Sequence, residues 1–122
     1  MTPRNYVLFY VAEPQASAHF YGRLFEREPL ENSPTFALFA LGDALLLGLW
    51  KRDTVRPVPA GLPGASELCL RLADDAAVDA VHARWRELGM TIAQAPTRMD
   101  FGYTCLALDP DGHRLRAFAR AE

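Results

Sequence analysis

The sequence predicts an α+β fold of two βαβββ repeats, whose curved mixed sheets face each other with the helices outside. One observation is that the order strand, helix, three strands occurs twice, about 60 residues apart. Another is that each half alone would leave one face of its sheet uncovered, so the halves are expected to enclose a cavity. With 122 residues, we expect a single domain over 1–122, with halves 1–51 and 65–122 and a connector 52–64.

The first half begins with a β-branched and aromatic run, Tyr6–Val11, which predicts a buried strand. A helix follows, which Pro14 starts and Pro29 ends. The apolar stripe of this helix is expected to contain Ala16, Phe20, Tyr21, Leu24 and Phe25. Three short strands are predicted after it, at about residues 30–33, 35–41 and 44–50. Gly42-Asp43 is the expected turn between the last two.

Proline and glycine recur through residues 52–64, which indicates a connector. A strand at 67–72 follows it, and Asp74-Asp75 then opens a helix that Gly89 ends. The buried stripe of this second helix is expected to contain Val78, Val81, Trp85 and Leu88. The last three strands are predicted at about residues 91–95, 101–108 and 113–119, with a turn at 109–112.

Composition excludes several classes of protein. The 13 Lys+Arg against 15 Asp+Glu give a net charge of −2, without the basic surface that nucleic-acid binding needs. No apolar run reaches the ~20 residues that a membrane span requires, and no signal-peptide pattern precedes the first strand. Cys69 and Cys105 lack CxxC spacing and are expected to be reduced core thiols. We expect a cytoplasmic protein.

Two segments resemble the glyoxalase, bleomycin-resistance and dioxygenase superfamily, also called the vicinal oxygen chelate proteins. One is the strand Tyr6–Glu13 running into Ala18–Tyr21, and the other is Leu108–Arg116 with its Asp-Pro-Asp-Gly turn. Shorter similarities, which narrow the resemblance to phenazine-antibiotic resistance proteins, lie at Tyr10-Val11, Phe20-Tyr21, Glu28-Pro29, 42–45 leading to Trp50, Ser66-Glu67 and 100–102. The resemblance implies a homodimer that binds a planar aromatic antibiotic non-covalently.

Metal-using members of the superfamily take ligands from the opening and final strands of each half. Carried over to this chain, these positions fall on Tyr6, Leu47 or Gly48, Glu67 and Arg116. Only Glu67 offers a possible ligand oxygen, and an arginine cannot ligate a cation. The three histidines fall on the predicted helices or at a turn, without metal-ligand spacing. We therefore expect neither a metal nor another cofactor.

The Glu67 and Arg116 positions converge in the superfamily but carry opposite charges here. We expect an ion pair between them. A carboxylate of the ligand would compete with Glu67 for the guanidinium of Arg116. The alternative is that both side chains point to the solvated mouth of the cavity.

Aromatic residues on the strands are the second candidate feature. Trp50 and Tyr103 are expected to present flat rings at the cavity rim, suited to stacking, whereas core packing is favoured for Phe36 and Phe39. The predicted ligand-binding residues are Trp50, Tyr103, Arg116, Glu67, Tyr6, Phe101 and Phe36. No catalytic residue is assigned.

The sequence thus favours metal-independent, non-covalent sequestration of a planar aromatic molecule, which the resemblance implies is an antibiotic of phenazine type. One alternative is a lyase, isomerase or dioxygenase on the same scaffold; without metal it would need a base, such as Glu67 with a pKa raised by burial. Another is a regulatory or interaction module. The sequence leaves open the natural ligand, any residual catalysis, an exchange of halves across the dimer, and which aromatic residues stack.

Overall fold

A computed structural model describes residues 4–121 of the chain, which divide into two compact units. The first unit ends at Gly61 and the second begins at Leu62, so the boundary falls inside the predicted connector 52–64. Each unit contains a strand, a helix and three further strands, in that order. The predicted α+β fold of two βαβββ repeats is confirmed.

The first unit holds one helix and one four-stranded mixed sheet. Its elements are β1 (Asn5–Val11), α1 (Pro14–Phe25), β2 (Glu31–Asn32), β3 (Phe36–Ala40) and β4 (Leu45–Lys51), followed by a 3₁₀ turn at Arg52–Thr54. The strand order is β1-β4-β3-β2, with β1 parallel to β4 and the other pairs antiparallel. The helix lies against β3 and β4, so one face of this sheet is covered by α1.

The core of the first unit lies between α1 and the covered face of the sheet. Its fully buried strand residues are Val11, Ala37, Phe39, Leu47 and Leu49, and alternation along each strand places them on one face. Against them α1 packs Ala18, Tyr21 and Leu24.

Two details of α1 differ from the sequence prediction. Ala16 is exposed, and the buried stripe runs through Ser17 and Ala18 instead. The helix also ends at Phe25, well before Pro29. It ends there because Glu26 adopts a left-handed conformation (φ 54°) and donates its backbone N–H to the carbonyl of Gly22, a helix-ending geometry that normally uses glycine.

The second unit repeats the arrangement. Its elements are β5 (Glu67–Arg71), α2 (Asp75–Glu87), β6 (Thr91–Met99), β7 (Gly102–Leu108) and β8 (Arg114–Arg120), in the sheet order β5-β8-β7-β6. The first pair is parallel and the others are antiparallel. The helix begins at an N-cap, Asp74, whose carboxylate accepts a hydrogen bond from the N–H of Ala77 at 2.9 Å. It packs Val78 and Trp85, both buried, toward the sheet.

The strand β6 is longer than predicted because it is an edge strand. It continues through Pro96 to Met99, and its pairing with β7 shifts register between Gln94 and Thr97. An edge strand tolerates proline, since the missing N–H faces no neighbouring strand. The predicted turn before β8 is present: the carboxylate of Asp109 accepts the backbone N–H groups of Asp111 and His113.

The two cysteines are both free thiols, but only Cys105 is buried. Cys69 is exposed, so the expectation of a core thiol was wrong for this residue. Strand alternation places Cys69 on the face of the sheet opposite its buried neighbour Leu68. Within residues 4–121, no helix is both long and apolar enough to cross a bilayer.

Candidate functional site

The sheet of the first unit has a second face, turned away from α1, that we call the aromatic face. Its residues are Tyr6, Leu8 and Tyr10 of β1, Phe36 and Leu38 of β3, and Leu46, Gly48 and Trp50 of β4. Tyr6 is 51% exposed and Leu8 42% exposed, which is high for apolar strand residues at neighbouring same-face positions. The aromatic face therefore offers accessible apolar surface.

Gly48 shapes the centre of the aromatic face. A Cβ at this position would lie 2.7 Å from Cδ2 of Leu8 and 2.9 Å from Cζ of Phe36. The side chains of Leu8 and Phe36 therefore lie over the bare backbone of β4, from the two strands beside it. The absence of a side chain at Gly48 permits a continuous apolar surface across three strands.

Trp50 lies next to this surface. Its ring makes an edge-to-face contact with Tyr10, with centroids 6.1 Å apart and planes at 79°, an arrangement that aromatic pairs favour. Trp50 also stands opposite Phe36 in the antiparallel register of β3 and β4. Both Trp50 and Phe36 are partly exposed. Three residues predicted from the sequence, Tyr6, Phe36 and Trp50, thus share one face.

The sheet of the second unit also has a face turned away from α2, which we call the charged face. It carries Glu67, Cys69 and Arg71 of β5, Gln94 of β6, Thr104 and Leu106 of β7, and Arg114, Arg116, Phe118 and Arg120 of β8. The parallel register of β5 and β8 sets Glu67 opposite Arg114 and Cys69 opposite Arg116. Glu67 therefore has an arginine available on each side.

The predicted ion pair between Glu67 and Arg116 is present. Nε of Arg116 donates to Oε1 of Glu67 at 2.6 Å, and Nη2 donates to Oε2 at 2.9 Å. Arg114 adds its own Nε and Nη2, both 2.8 Å from Oε2. The side chain of Arg116 is 14% exposed and that of Glu67 23%, so the pair is largely desolvated.

The other end of the Arg116 guanidinium is held as well. Its Nη1 donates to Oε1 of Gln94 at 3.2 Å and to Oγ1 of Thr104 at 3.1 Å. Thr104 is buried and donates its hydroxyl to the carbonyl of Ala117 at 2.9 Å. Neighbours on three other strands therefore fix the orientation of Arg116.

The charges on this face set the ionisation of Glu67. The hydrogen bond from Arg116, with further help from Arg114, lowers the pKa of Glu67 from 4.5 to about 2, although burial opposes the shift. The hydrogen bond to Glu67 likewise raises the pKa of Arg116. The alternative of a general base at Glu67 would need a raised pKa, but the paired arginines outweigh burial and lower it.

Phe101 belongs to the charged face by contact. It lies in the turn between β6 and β7 and is exposed. Its ring centroid is 6.1 Å from that of Phe118, in a T-shaped contact. The guanidinium carbon of Arg116 is 6.0 Å from the Phe101 centroid, at the outer limit of a cation–π contact. The structure therefore brings Glu67, Phe101 and Arg116 together.

Tyr103 lies on the opposite, α2-covered side of the same sheet. Its hydroxyl donates to Oδ1 of Asp79 on α2 at 2.7 Å, and this hydrogen bond raises the pKa of Tyr103. The guanidinium carbon of Arg98 lies 5.0 Å from the ring centroid, and Arg98 also pairs with Asp75. The structure does not bring Tyr103 together with Arg116, because the register pairs Tyr103 with Ala119 on the helix side.

A separate groove of the first unit lies beside α1. It is a groove of about 590 Å³ lined by Gln15, Ala18, His19, Gly22, Arg23, Glu26, Arg27, Glu28, Pro29 and Asn32. It includes none of the predicted ligand-binding residues. Its lining mixes cationic and anionic side chains, so its chemistry selects no ligand class.

Comparison with known proteins assigns this chain to a family. A family model of the Glyoxalase/Bleomycin resistance protein/Dioxygenase superfamily matches residues 4–117. The chain belongs to this superfamily. The phenazine antibiotic resistance protein EhpR of Enterobacter agglomerans is 31% identical over 119 residues, which cover 95% of this chain and 90% of EhpR.

Solved structures share the fold of this chain. The solution NMR structure of an Agrobacterium tumefaciens protein is 45% identical and superposes with a TM-score of 0.88 over 100% of both chains. A glyoxalase-related enzyme from Fulvimarina pelagi is 19% identical, with a TM-score of 0.84 over 98% of this chain and 89% of that one. The second likeness supports the fold alone.

The residues at the superfamily's metal-ligand positions do not fit a divalent cation. Both carboxylate oxygens of Glu67 accept hydrogen bonds from arginines, and a guanidinium has no lone pair to offer a metal. In the first unit the corresponding positions are Tyr6 and either Leu47 or Gly48, and neither Leu47 nor Gly48 has a side chain that can ligate a metal. Among the described residues, no three His, Cys, Asp or Glu side chains are grouped closely enough to hold a metal ion.

Proposed function

We propose that this protein binds a planar aromatic small molecule of the phenazine type, non-covalently and without a metal ion, and thereby sequesters it. The observation that carries the proposal is the aromatic face, where Leu8 and Phe36 close over Gly48 beside a partly exposed Trp50. The 31% identity to a phenazine antibiotic resistance protein supports the same class of ligand.

Stacking on this face supplies affinity in a form that suits a flat ring system. An aromatic pair contributes about 0.5–1.5 kcal/mol beyond the burial of its area, and burial itself contributes about 25 cal/mol per Å² of apolar surface. Tyr6, Phe36 and Trp50 are the proposed stacking residues. Micromolar binding, about −8 kcal/mol, needs several such contacts to offset the entropy lost on association.

The charged face supports binding without chemistry. Glu67 remains ionised with both oxygens occupied, and Arg116 is held at both ends of its guanidinium. Neither group is placed to move a proton. Phe101, which is exposed beside this ion pair, is therefore proposed as a ligand contact of the charged face, with Glu67 and Arg116 as the pair that sets the charge next to it. Protection by sequestration is stoichiometric, so it would rise in proportion to the protein concentration.

A tryptophan-fluorescence titration with phenazine-1-carboxylate, in buffer containing a strong chelator, tests this function. We expect saturable quenching at micromolar ligand, with an unchanged absorbance spectrum of the compound over hours. Trp50→Phe should remove most of the quenching, whereas Trp85→Phe should retain it, because Trp85 is buried beneath α2.

Two outcomes would overturn the proposal. Binding or turnover that needs an added divalent metal would favour an enzyme on this scaffold. The absence of binding in either condition would refute a phenazine-type ligand. The proposal also retains the homodimer and the cytoplasmic location expected from the sequence, which sedimentation analysis and fractionation of the producing cells would test.

A further inference from the structure

Arg116 has little capacity left for a ligand. Its side-on edge, Nε and Nη2, is used by the two oxygens of Glu67. At the other end, Nη1 donates to Gln94 and to Thr104. Since a guanidinium has five N–H groups, these contacts leave Arg116 a single uncommitted N–H, on a side chain that is mostly buried.

Arg114, in contrast to Arg116, keeps most of its N–H groups uncommitted. Its side-on edge, Nε and Nη2, is anchored on one oxygen of Glu67, both atoms at 2.8 Å. Among residues 4–121, no acceptor lies within hydrogen-bonding distance of its Nη1. Its side chain is 38% exposed. The end-on edge of Arg114, formed by Nη1 and the second N–H of Nη2, is therefore free and faces solvent.

The charge of the surrounding surface favours an anion at this edge. The charged face, as defined above, carries four guanidinium groups, of Arg71, Arg114, Arg116 and Arg120, and one carboxylate, of Glu67. Glu67 is shared between two of these arginines, so the face keeps a net positive charge. A carboxylate matches the two parallel N–H groups of a free guanidinium edge in geometry as well as in charge.

We propose that Arg114 is the residue that recognises an acidic substituent of the aromatic ligand, while Glu67, itself bonded to Arg116, holds Arg114 in place. This inference rests on the proposed function and adds its specificity: the preferred ligand is a planar aromatic carboxylate rather than a neutral polycycle. Arg114 acts as the direct contact, and Glu67 acts as a positioning residue.

Paired titrations with phenazine-1-carboxylate and with unsubstituted phenazine test the inference. The wild-type protein should prefer the carboxylate by about tenfold or more, the range of a charge-assisted hydrogen bond. Arg114→Gln should abolish this preference, because it should weaken the binding of the carboxylate far more than the binding of unsubstituted phenazine. Arg114→Lys should retain part of the preference, because it keeps the charge but loses the paired N–H edge. Arg86→Gln, on the exposed side of α2, is the control for losing one positive charge.

The outcomes separate the inference from the function on which it rests. If Arg114→Gln keeps the preference for the carboxylate, or if the wild type binds both compounds equally well, the inference is overturned and aromatic sequestration stands. If the wild type binds neither compound, both the proposed function and the inference fail. Unfolding curves of each variant ensure that only folded protein is compared.

Discussion

Glu67 and Arg116 are joined by two parallel hydrogen bonds, from Nε to Oε1 at 2.6 Å and from Nη2 to Oε2 at 2.9 Å. The pair links β5 to β8, which are adjacent parallel strands in the sheet of the second unit. Metal-using relatives of this scaffold would place ligands at the same two positions. A pair of opposite charges at these positions needs no cation, because the attraction between the two groups offsets the free energy lost when each is removed from water.

The first prediction concerns stability at acid pH. The pKa of Glu67 is lowered from 4.5 to about 2 in the folded protein, so its stabilising effect is complete above pH 4.5 and is lost as the pH falls toward 2. Glu67→Gln should therefore lower the free energy of unfolding by about 2 kcal/mol at neutral pH. Denaturant unfolding over a series of pH values measures this difference.

The difference between wild type and Glu67→Gln should shrink as the pH falls from 4.5 toward 2, because protonation then removes the same charge from the wild type. Glu87→Gln, which removes an exposed carboxylate of α2, controls for the loss of one negative charge. A difference that stays constant over this pH range would contradict the assigned role of the ion pair.

Most of the fold could be predicted because its signals are local. Alternation along β3 and β4 buries Phe39 and Leu47 on one face, and the spacing of Val78 and Trp85 gives α2 its buried side. Element ends were less predictable. The left-handed turn that ends α1 is at Glu26 rather than at a glycine, so the sequence does not indicate it. The strand β6 can pass through Pro96 because it lies at the edge of its sheet.

The candidate site was predictable where a position could be carried over from the superfamily. Glu67 and Arg116 were paired in that way. Tyr103, predicted at the cavity rim with Trp50, lies on the α2 side of its sheet. The phase of β7 relative to β8 depends on register, which a single strand does not reveal. The comparison with the superfamily marks Gly48 only as a position without a ligand side chain. A lone glycine inside an apolar strand does, however, indicate a close approach of its neighbours.

The second prediction concerns Trp50. Trp50→Ala should weaken binding of phenazine by about tenfold, since the loss of one stacking partner costs roughly 1 kcal/mol or more. The fold should persist because Trp50 is partly exposed and lies outside the α1-covered core. Isothermal titration calorimetry measures the affinity without relying on this fluorophore. An unchanged affinity would remove Trp50 from the site.

Trp85→Phe is the matched control for Trp50→Ala. Trp85 is buried on α2, so its replacement should lower the free energy of unfolding while leaving the affinity for phenazine unchanged. Trp50→Ala should thus change the affinity more than the stability, and Trp85→Phe the stability more than the affinity.

The third prediction concerns Tyr103, which the sequence placed among the ligand contacts. Its hydroxyl is bonded to Asp79 on the α2 side of the sheet. Tyr103→Phe should therefore lower the temperature of unfolding, by less than Glu67→Gln does, and leave the affinity for phenazine-1-carboxylate as in the wild type. Asp79→Ala should have a similar, non-additive effect, because the two residues share one hydrogen bond. A loss of affinity in Tyr103→Phe would return this residue to the site.

The last prediction concerns Gly48 and the two side chains that cover it. Gly48→Ala places a methyl group 2.7 Å from Cδ2 of Leu8 and 2.9 Å from Cζ of Phe36, so both side chains must move outward. Overpacking of this kind costs about 1–3 kcal/mol, and the displaced side chains should weaken phenazine binding as well. Combining Gly48→Ala with Leu8→Ala should recover part of the lost stability, because the second change removes the nearer obstacle. Strictly additive losses in a double-mutant cycle, measured by denaturant unfolding, would mean that Leu8 does not lie over Gly48 in solution.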